Sequence, residues 1–373
     1  MTTTDVAVIG LGAVGAMTLW RLAERGVKAH GYERFGIAHD RGASAGQTRR
    51  FSVQTQSERR LTPLAVEALT LWRELEKLTD QDLLHQTGGV IIGPEGGPAL
   101  RSAITSARDN DLPYEFLEPE ELRVRFPQHL ARETDVGVTD PLAGYLRPEA
   151  SVAAAIGRAC ELGAEAGLYD EVVAVTPGPT GVAVSTRQGE RVYQQVVIAP
   201  GAWATELVPG YSMVARRLVQ AWYLARDPED FHPDRFGVFE RVGDISAYGF
   251  PSLDGATVKV GIKLEPHPVI DDPTNVARSV DPDLAVRLAA VIRQFLPGLR
   301  PDPVSLQTGI EAYTPDGLPL LGPAPHDPRL LLACGFSGAG FKFAPATADV
   351  LADHIITGTT ARNVSFLTPA RFD

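Results

Sequence analysis

Three glycines and one acid near the start of the chain have the spacing to hold a dinucleotide: Gly10-Leu-Gly12-Ala-Val-Gly15, then Glu33. Gly10 permits a tight turn, Gly12 lets backbone N–H groups approach a pyrophosphate, and Gly15 lets the following helix pack on the preceding strand. The phosphates then meet the positive end of that helix. Glu33 suits the hydroxyls of an adenosine ribose and disfavours a 2′-phosphate, because two negative groups would meet there. Beyond it runs a polar loop from His39 to Arg50, containing Ser44, Gly46, Thr48 and Arg49. A nicotinamide domain more usually proceeds to another βα unit, whereas a long loop of hydroxyls and amides suits wrapping an extended FAD. On these residues alone, a solvated surface loop is the alternative.

Such groups need a scaffold. The apolar run 6–9 reads as a buried parallel strand, 13–25 as a helix and 28–32 as a second strand. Residues 61–78 carry Leu64, Leu71, Leu75 and Leu78 at helical spacing. Residues 88–93 read as a strand closed by a turn at 94–97, and 99–110 and 118–126 as helices. Ser151 reads as the N-cap of a helix over 151–162. Strands follow at 171–175, 182–186 and 191–198, the first two joined as a hairpin. The stretch 218–262 is strand-rich, including 247–251 and 257–261; then come a helix at 281–296, a buried strand at 330–334 and a last helix at 344–357. This order predicts an α/β fold with a Rossmann-type FAD-binding domain and an inserted antiparallel-sheet substrate domain. The boundaries expected are 1–87, 148–215 and 305–373 for the former, and 88–147 and 216–304 for the latter.

The chain has 373 residues, 44% hydrophobic and 22% charged, an ordinary globular composition. With 35 basic and 46 acidic residues its net charge is −11, which disfavours nucleic acid or an anionic membrane as partner. The few residues before the first strand leave no room for a signal peptide, and no apolar run is long enough to cross a bilayer. Cys160 and Cys334 supply neither a disulfide framework nor a metal cluster. Both read as small buried hydrophobes in a cytoplasmic protein.

Taken in order, several segments resemble the FAD-dependent amine oxidases grouped around monomeric sarcosine oxidase and N-methyltryptophan oxidase, within the D-amino-acid-oxidase-like superfamily. They are the glycine turn, Gly46-Gln-Thr-Arg49, Leu71-Trp-Arg-Glu-Leu-Glu76, Gly201-Ala-Trp203, Tyr248-Gly-Phe-Pro-Ser252, Val258-Lys-Val-Gly261, Tyr313-Thr314 and Gly335-Phe-Ser-Gly-Ala-Gly-Phe-Lys-Phe343. The resemblance implies oxidation of a secondary or N-methylated amine to an imine, with O2 reduced to H2O2, by a protein expected to be monomeric. It implies a cofactor cradle of Gly10, Gly12, Gly15, Glu33, Arg34, Ser44, Thr48, Arg49, Val172, Gly201, Trp203, Gly338, Gly340, Phe341 and Lys342. It also implies Lys259 as the oxygen-activating lysine, Arg49 stacked against the flavin, Lys342 on the substrate carboxylate, and Tyr248 and Tyr313 as pocket walls. Alternation along 257–260 puts Lys259 opposite Val258 and Val260, so a solvent-facing lysine is the other reading of that strand.

The departures from the family pattern carry information as well. Where it has a cysteine bonded to the flavin, this chain has Glu311, so a non-covalent FAD is expected. Where it has a second arginine on the substrate carboxylate, this chain has Ser52, with Arg50 nearby. Lys263 stands where an imidazole is usual. Sarcosine itself is therefore not the expected substrate. A dehydrogenase using another electron carrier, or oxidation of a hydroxy compound, are the alternatives.

Overall fold

Val6–Ile9 pairs in parallel with Ala29–Glu33 on one side and Gln195–Ile198 on the other, an arrangement that its four buried apolar residues require. The computed structural model describes residues 6–208, 210–264 and 266–372. The sheet has six strands in the order Leu320–Ala324, Asp327–Cys334, Gln195–Ile198, Val6–Ile9, Ala29–Glu33 and Glu165–Leu168. All neighbours run parallel except the Leu320–Ala324 edge. Helices Ala13–Glu24, Thr62–Thr79, Pro148–Glu161 and Ala344–Thr357 share one apolar core with one face of the sheet. A three-stranded antiparallel sheet, Val172–Gly178, Gly181–Thr186 and Gly189–Tyr193, closes the other.

A nine-stranded sheet forms the second half. Its order is Val269–Ile270, Val214–Leu224, Thr257–Ile262, Ala247–Gly249, Val238–Arg241, Gly89–Pro94, Asp135–Asp140 and Phe116–Leu117, with Ser305–Tyr313 also paired to Val214–Leu224. Its far face packs on helix Pro282–Phe295 through Tyr223, Phe239, Val258, Val260 and Ile292. A small sheet, Arg49–Phe51, Gly144–Leu146 and Leu84–His85, lies beside the polar loop.

Four sequence expectations are corrected. Helix Pro148–Glu161 begins before Ser151, and the Ser151 hydroxyl donates to Arg147 O instead of capping. Pro148 starts the helix because its missing N–H costs nothing in a first turn. The single strand expected over 191–198 is two, Gly189–Tyr193 and Gln195–Ile198, which belong to different sheets. The substrate-side sheet is not wholly antiparallel, since Val238–Arg241 runs parallel to Gly89–Pro94. Cys160 is exposed; only Cys334 is buried.

Gly15 sets the closest approach in the first βα unit: a Cβ there would stand 1.7 Å from Gly10 O. That atom belongs to the backbone and cannot swing aside. Gly15→Ala is expected to destabilise the fold by about 2 kcal/mol or more, read as a lowered melting temperature together with lost flavin uptake.

Candidate functional site

A cavity of about 920 Å³ runs from the end of strand Val6–Ile9 to the inner face of the nine-stranded sheet. At the first end, Gly10 takes φ +84° and Gly12 leads into helix Ala13–Glu24. The Ala13 N–H donates to Ser44 Oγ at 3.1 Å, so the loop closes over the helix N-terminus. Gly10, Gly12 and Ser44 line the cavity, while Gly15 sits behind it as a packing residue. Glu33 is buried, and its carboxylate accepts from the Leu11 and Phe35 N–H groups, each at 2.9 Å, with His39 Nε2 3.3 Å away. Burial alone would raise its pKa, but His39 and the two backbone donors hold it below the ordinary carboxylate value. Arg34 bonds Thr274 Oγ1 at 3.0 Å and pairs with Glu171 at 3.2 Å; Trp203 Nε1 reaches the same hydroxyl at 3.0 Å. Val172 and Gly201 complete that wall.

The middle of the cavity holds two cations, Lys259, which is buried, and the half-buried Arg49. Lys259 is 4% exposed, and its ammonium donates to Gly46 O at 2.6 Å and Thr48 O at 3.0 Å. It lies 5.3 Å from the ring centre of Trp222, its cross-strand partner, and 5.2 Å from that of Phe250. Strand alternation sends Val258 and Val260 into the core behind and Lys259 into the cavity, which excludes the solvent-facing reading. Burial, followed by the charge of Arg49, lowers its pKa well below that of a free lysine; Glu149 opposes both. Arg49 Nη1 donates to Thr48 O at 2.7 Å, and Nε and Nη2 donate to Ala43 O. Thr48 Oγ1 is buried without a hydrogen-bond partner among the described residues, an open donor–acceptor on the wall of the cavity.

The loop carrying those carbonyls turns through left-handed conformations at Gly46 (φ +99°) and Gln47 (φ +70°). Glu149 Oε1 accepts from both N–H groups, at 2.7 and 3.2 Å, and Trp222 Nε1 donates to Gln47 Oε1 at 3.1 Å. Opposite lies Glu311, whose carboxylate accepts from Tyr313 Oη at 3.0 Å. Burial raises the Glu311 pKa against the opposing effects of Arg49 and the Tyr313 hydroxyl. Glu311 lines the cavity; the Tyr313 side chain stands behind it.

Lys342 marks the far end. It lies in the turn Phe341–Phe343, held by Trp72, which donates to Lys342 O at 3.1 Å and stacks on Phe341. Its ammonium donates to Ser52 O at 3.1 Å. Burial and the nearby Arg50 guanidinium push its pKa down to about 8, against Glu240 and Asp140. Tyr248, Arg50, Lys263, Gly340 and Phe341 also line the cavity, and Gly338 lies against Glu311. Ser52 does not: its hydroxyl is spent on Asp140 Oδ2 at 2.7 Å, so only its backbone carbonyl serves the site. Sequence reading missed Glu240, Gln220 and Glu149. Each is an ordinary acid or amide in its own segment, and only folding sets it beside Arg50, Gly46 or the Gly46–Gln47 turn.

A glycine turn at a helix N-terminus, a buried acid beyond it and a cavity that continues to Lys259 and Lys342 fit an extended dinucleotide. Among the described residues, no group of three His, Cys, Asp or Glu could hold a metal, and no helix is long and apolar enough to cross a membrane. Residues 5–354 match the family of FAD dependent oxidoreductases. The chain is 32% identical to a monomeric sarcosine oxidase of Streptomyces avermitilis over 99% of its length and 98% of that protein's. It is 29% identical to an N-methyl-L-tryptophan oxidase of Yersinia pestis, over 99% of each. Among solved structures, NikD, an unusual amino acid oxidase essential for nikkomycin biosynthesis, superposes with TM-score 0.84 at 25% identity, covering 98% of this chain and 97% of that one. The L-proline dehydrogenase from P. horikoshii shares the fold, with TM-score 0.86 at 21% identity over 99% and 98% of the two chains.

The depressed pKa of Lys342 has a measurable outcome. A small carboxylate anion bound against its ammonium is expected to lose affinity as pH rises through about 8, roughly tenfold per unit well above it, because deprotonation removes the charge. Calorimetric titration across pH 7 to 9.5 reads this, and Lys342→Met should flatten the profile.

Proposed function

Because the chain belongs to the FAD-dependent oxidoreductase family, among the enzymes acting on CH–NH donors, we propose that it oxidises a carboxylate-bearing secondary or N-methylated amine to the imine while O2 becomes H2O2. The observation carrying this reading is one cavity that joins the glycine turn to two ammonium groups, Lys259 and Lys342. Bound FAD supplies the hydride acceptor for the carbon beside nitrogen and the electrons for oxygen. Everything else falls to the protein.

Gly10, Gly12, Ser44 and Glu33 hold the adenosine and phosphates, with Arg34, Val172, Gly201 and Trp203 on the adenosine side. Lys342 orients the substrate by its carboxylate, and Tyr248 walls the reacting carbon. The enclosing walls exclude water, and the amine reacts as the neutral base, since its lone pair must be free. Lys259 keeps a fixed donor and, when protonated, a positive charge where oxygen is reduced. Arg49, Gly338, Gly340 and Phe341 frame the ring-binding region, with Glu311 and Tyr313 at its edge. Glu311 has no sulfur to bond a flavin, so the cofactor is dissociable. With Ser52 in place of a second arginine, and its hydroxyl spent on Asp140, sarcosine lacks that clamp and a larger amine suits the cavity better. A cytoplasmic monomer completes the proposal; the exposed Cys160 and buried Cys334 suit a reducing compartment.

Two measurements test it. Lys259→Met is expected to slow air reoxidation of the reduced protein by about 10²-fold or more while barely changing anaerobic reduction by substrate. Equal slowing of both, or fast reoxidation, refutes the assignment and favours a different electron acceptor. Acid precipitation of the yellow protein should leave its colour in the supernatant.

A further inference from the structure

Glu240 places a carboxylate in the substrate end of the cavity, beside the residues assigned above to an anionic substrate. It stands opposite Tyr248 in the antiparallel pair Val238–Arg241 and Ala247–Gly249. Its neighbours turn the other way, Phe239 into the core and Arg241 onto the buried Asp135. Glu240 Oε2 forms an ion pair with Arg50 Nη1 at 2.6 Å and accepts a hydrogen bond from Gln56 Nε2 at 2.7 Å. Its Oε1 has no hydrogen bond among the described residues, and the side chain is 28% exposed.

For a substrate that is only a carboxylate, this arrangement is counterproductive. Glu240 neutralises Arg50, the nearest replacement for the missing clamp, and leaves Lys342 to bind the anion. Nor does the acid suit the reacting nitrogen. A carboxylate against that amine would hold its proton, whereas the reaction needs the neutral form. The free acceptor therefore faces a different part of the substrate.

We propose that Glu240 is a specificity-determining residue that receives a second, cationic group, so that the substrate is an amino acid carrying an ammonium or similar N–H donor apart from the nitrogen that is oxidised. This rests on the carboxylate-binding amine-oxidase reading above. Lys342 takes the carboxylate, Glu240 Oε1 takes the remote donor, and Gln56 and Arg50 hold the acid in place.

The test compares redox-inert ligands on the FAD-loaded full-length protein. Straight-chain ω-amino carboxylates of three to six carbons are titrated calorimetrically beside the corresponding plain carboxylates. At least one amino carboxylate should bind about 10- to 100-fold more tightly than its plain counterpart, the range expected for a hydrogen bond between charged groups. Glu240→Gln should erase that preference and Glu240→Asp should retain part of it. Equal binding of both series to the native protein overturns the proposal without touching the carboxylate reading, and requires no variant to fold. If neither series binds and Lys342→Met changes nothing, the carboxylate reading itself fails.

Discussion

An ammonium withdrawn from water costs far more than one hydrogen bond returns, and the centre of this molecule is arranged around meeting that cost at Lys259. Two carbonyl oxygens, Gly46 O and Thr48 O, receive it, and two aromatic rings lie within cation–π range. Those oxygens converge only because the loop turns through left-handed conformations, which glycine tolerates at 46 and glutamine less readily at 47. The loop is secured from both halves of the protein. Glu149 comes from the helix on the dinucleotide side, and Trp222 from the large sheet. The lysine, its acceptors and their supports thus form one unit that exists only when the halves are assembled.

Charge along the cavity follows the same logic. Burial, then the charge of Arg49, lowers the pKa of Lys259; burial lowers that of Arg49, against the opposing effects of Tyr248, Glu311 and Glu149. At the far end Lys342 and Arg50 are countered by Glu240 and Asp140. A chain with net charge −11 therefore concentrates cations where an anionic cofactor and an anionic ligand would bind. Along the cavity wall basic and acidic side chains balance, so the site is less acidic than the chain as a whole.

Much of this was legible in local sequence. The first βα unit followed from an apolar run and three glycines, since each glycine answers a steric demand only a few residues away. Helix Thr62–Thr79 follows from spacing, because a buried stripe at period 3.6 is a local property. Serine's general preference for the cap position points to a start at 151, whereas proline and the Arg147 carbonyl set the start at Pro148. Residues 191–198 look like one strand in sequence because a break between two sheets leaves no trace in hydrophobicity. Ser52 could be numbered but not aimed: its hydroxyl is claimed by Asp140, far away in the chain.

By itself the amino-acid order determined the dinucleotide turn, the α/β class and the identity of Lys259 and Lys342, since these depend on neighbours along the backbone or on extended motifs. Only the tertiary structure decided which way those lysines face, which carbonyls receive them, and that Glu240 meets Arg50 across the cavity. Pairings of that kind join residues from separate strands and loops, and their energy depends on burial and distance, quantities that a linear chain does not possess until it is folded.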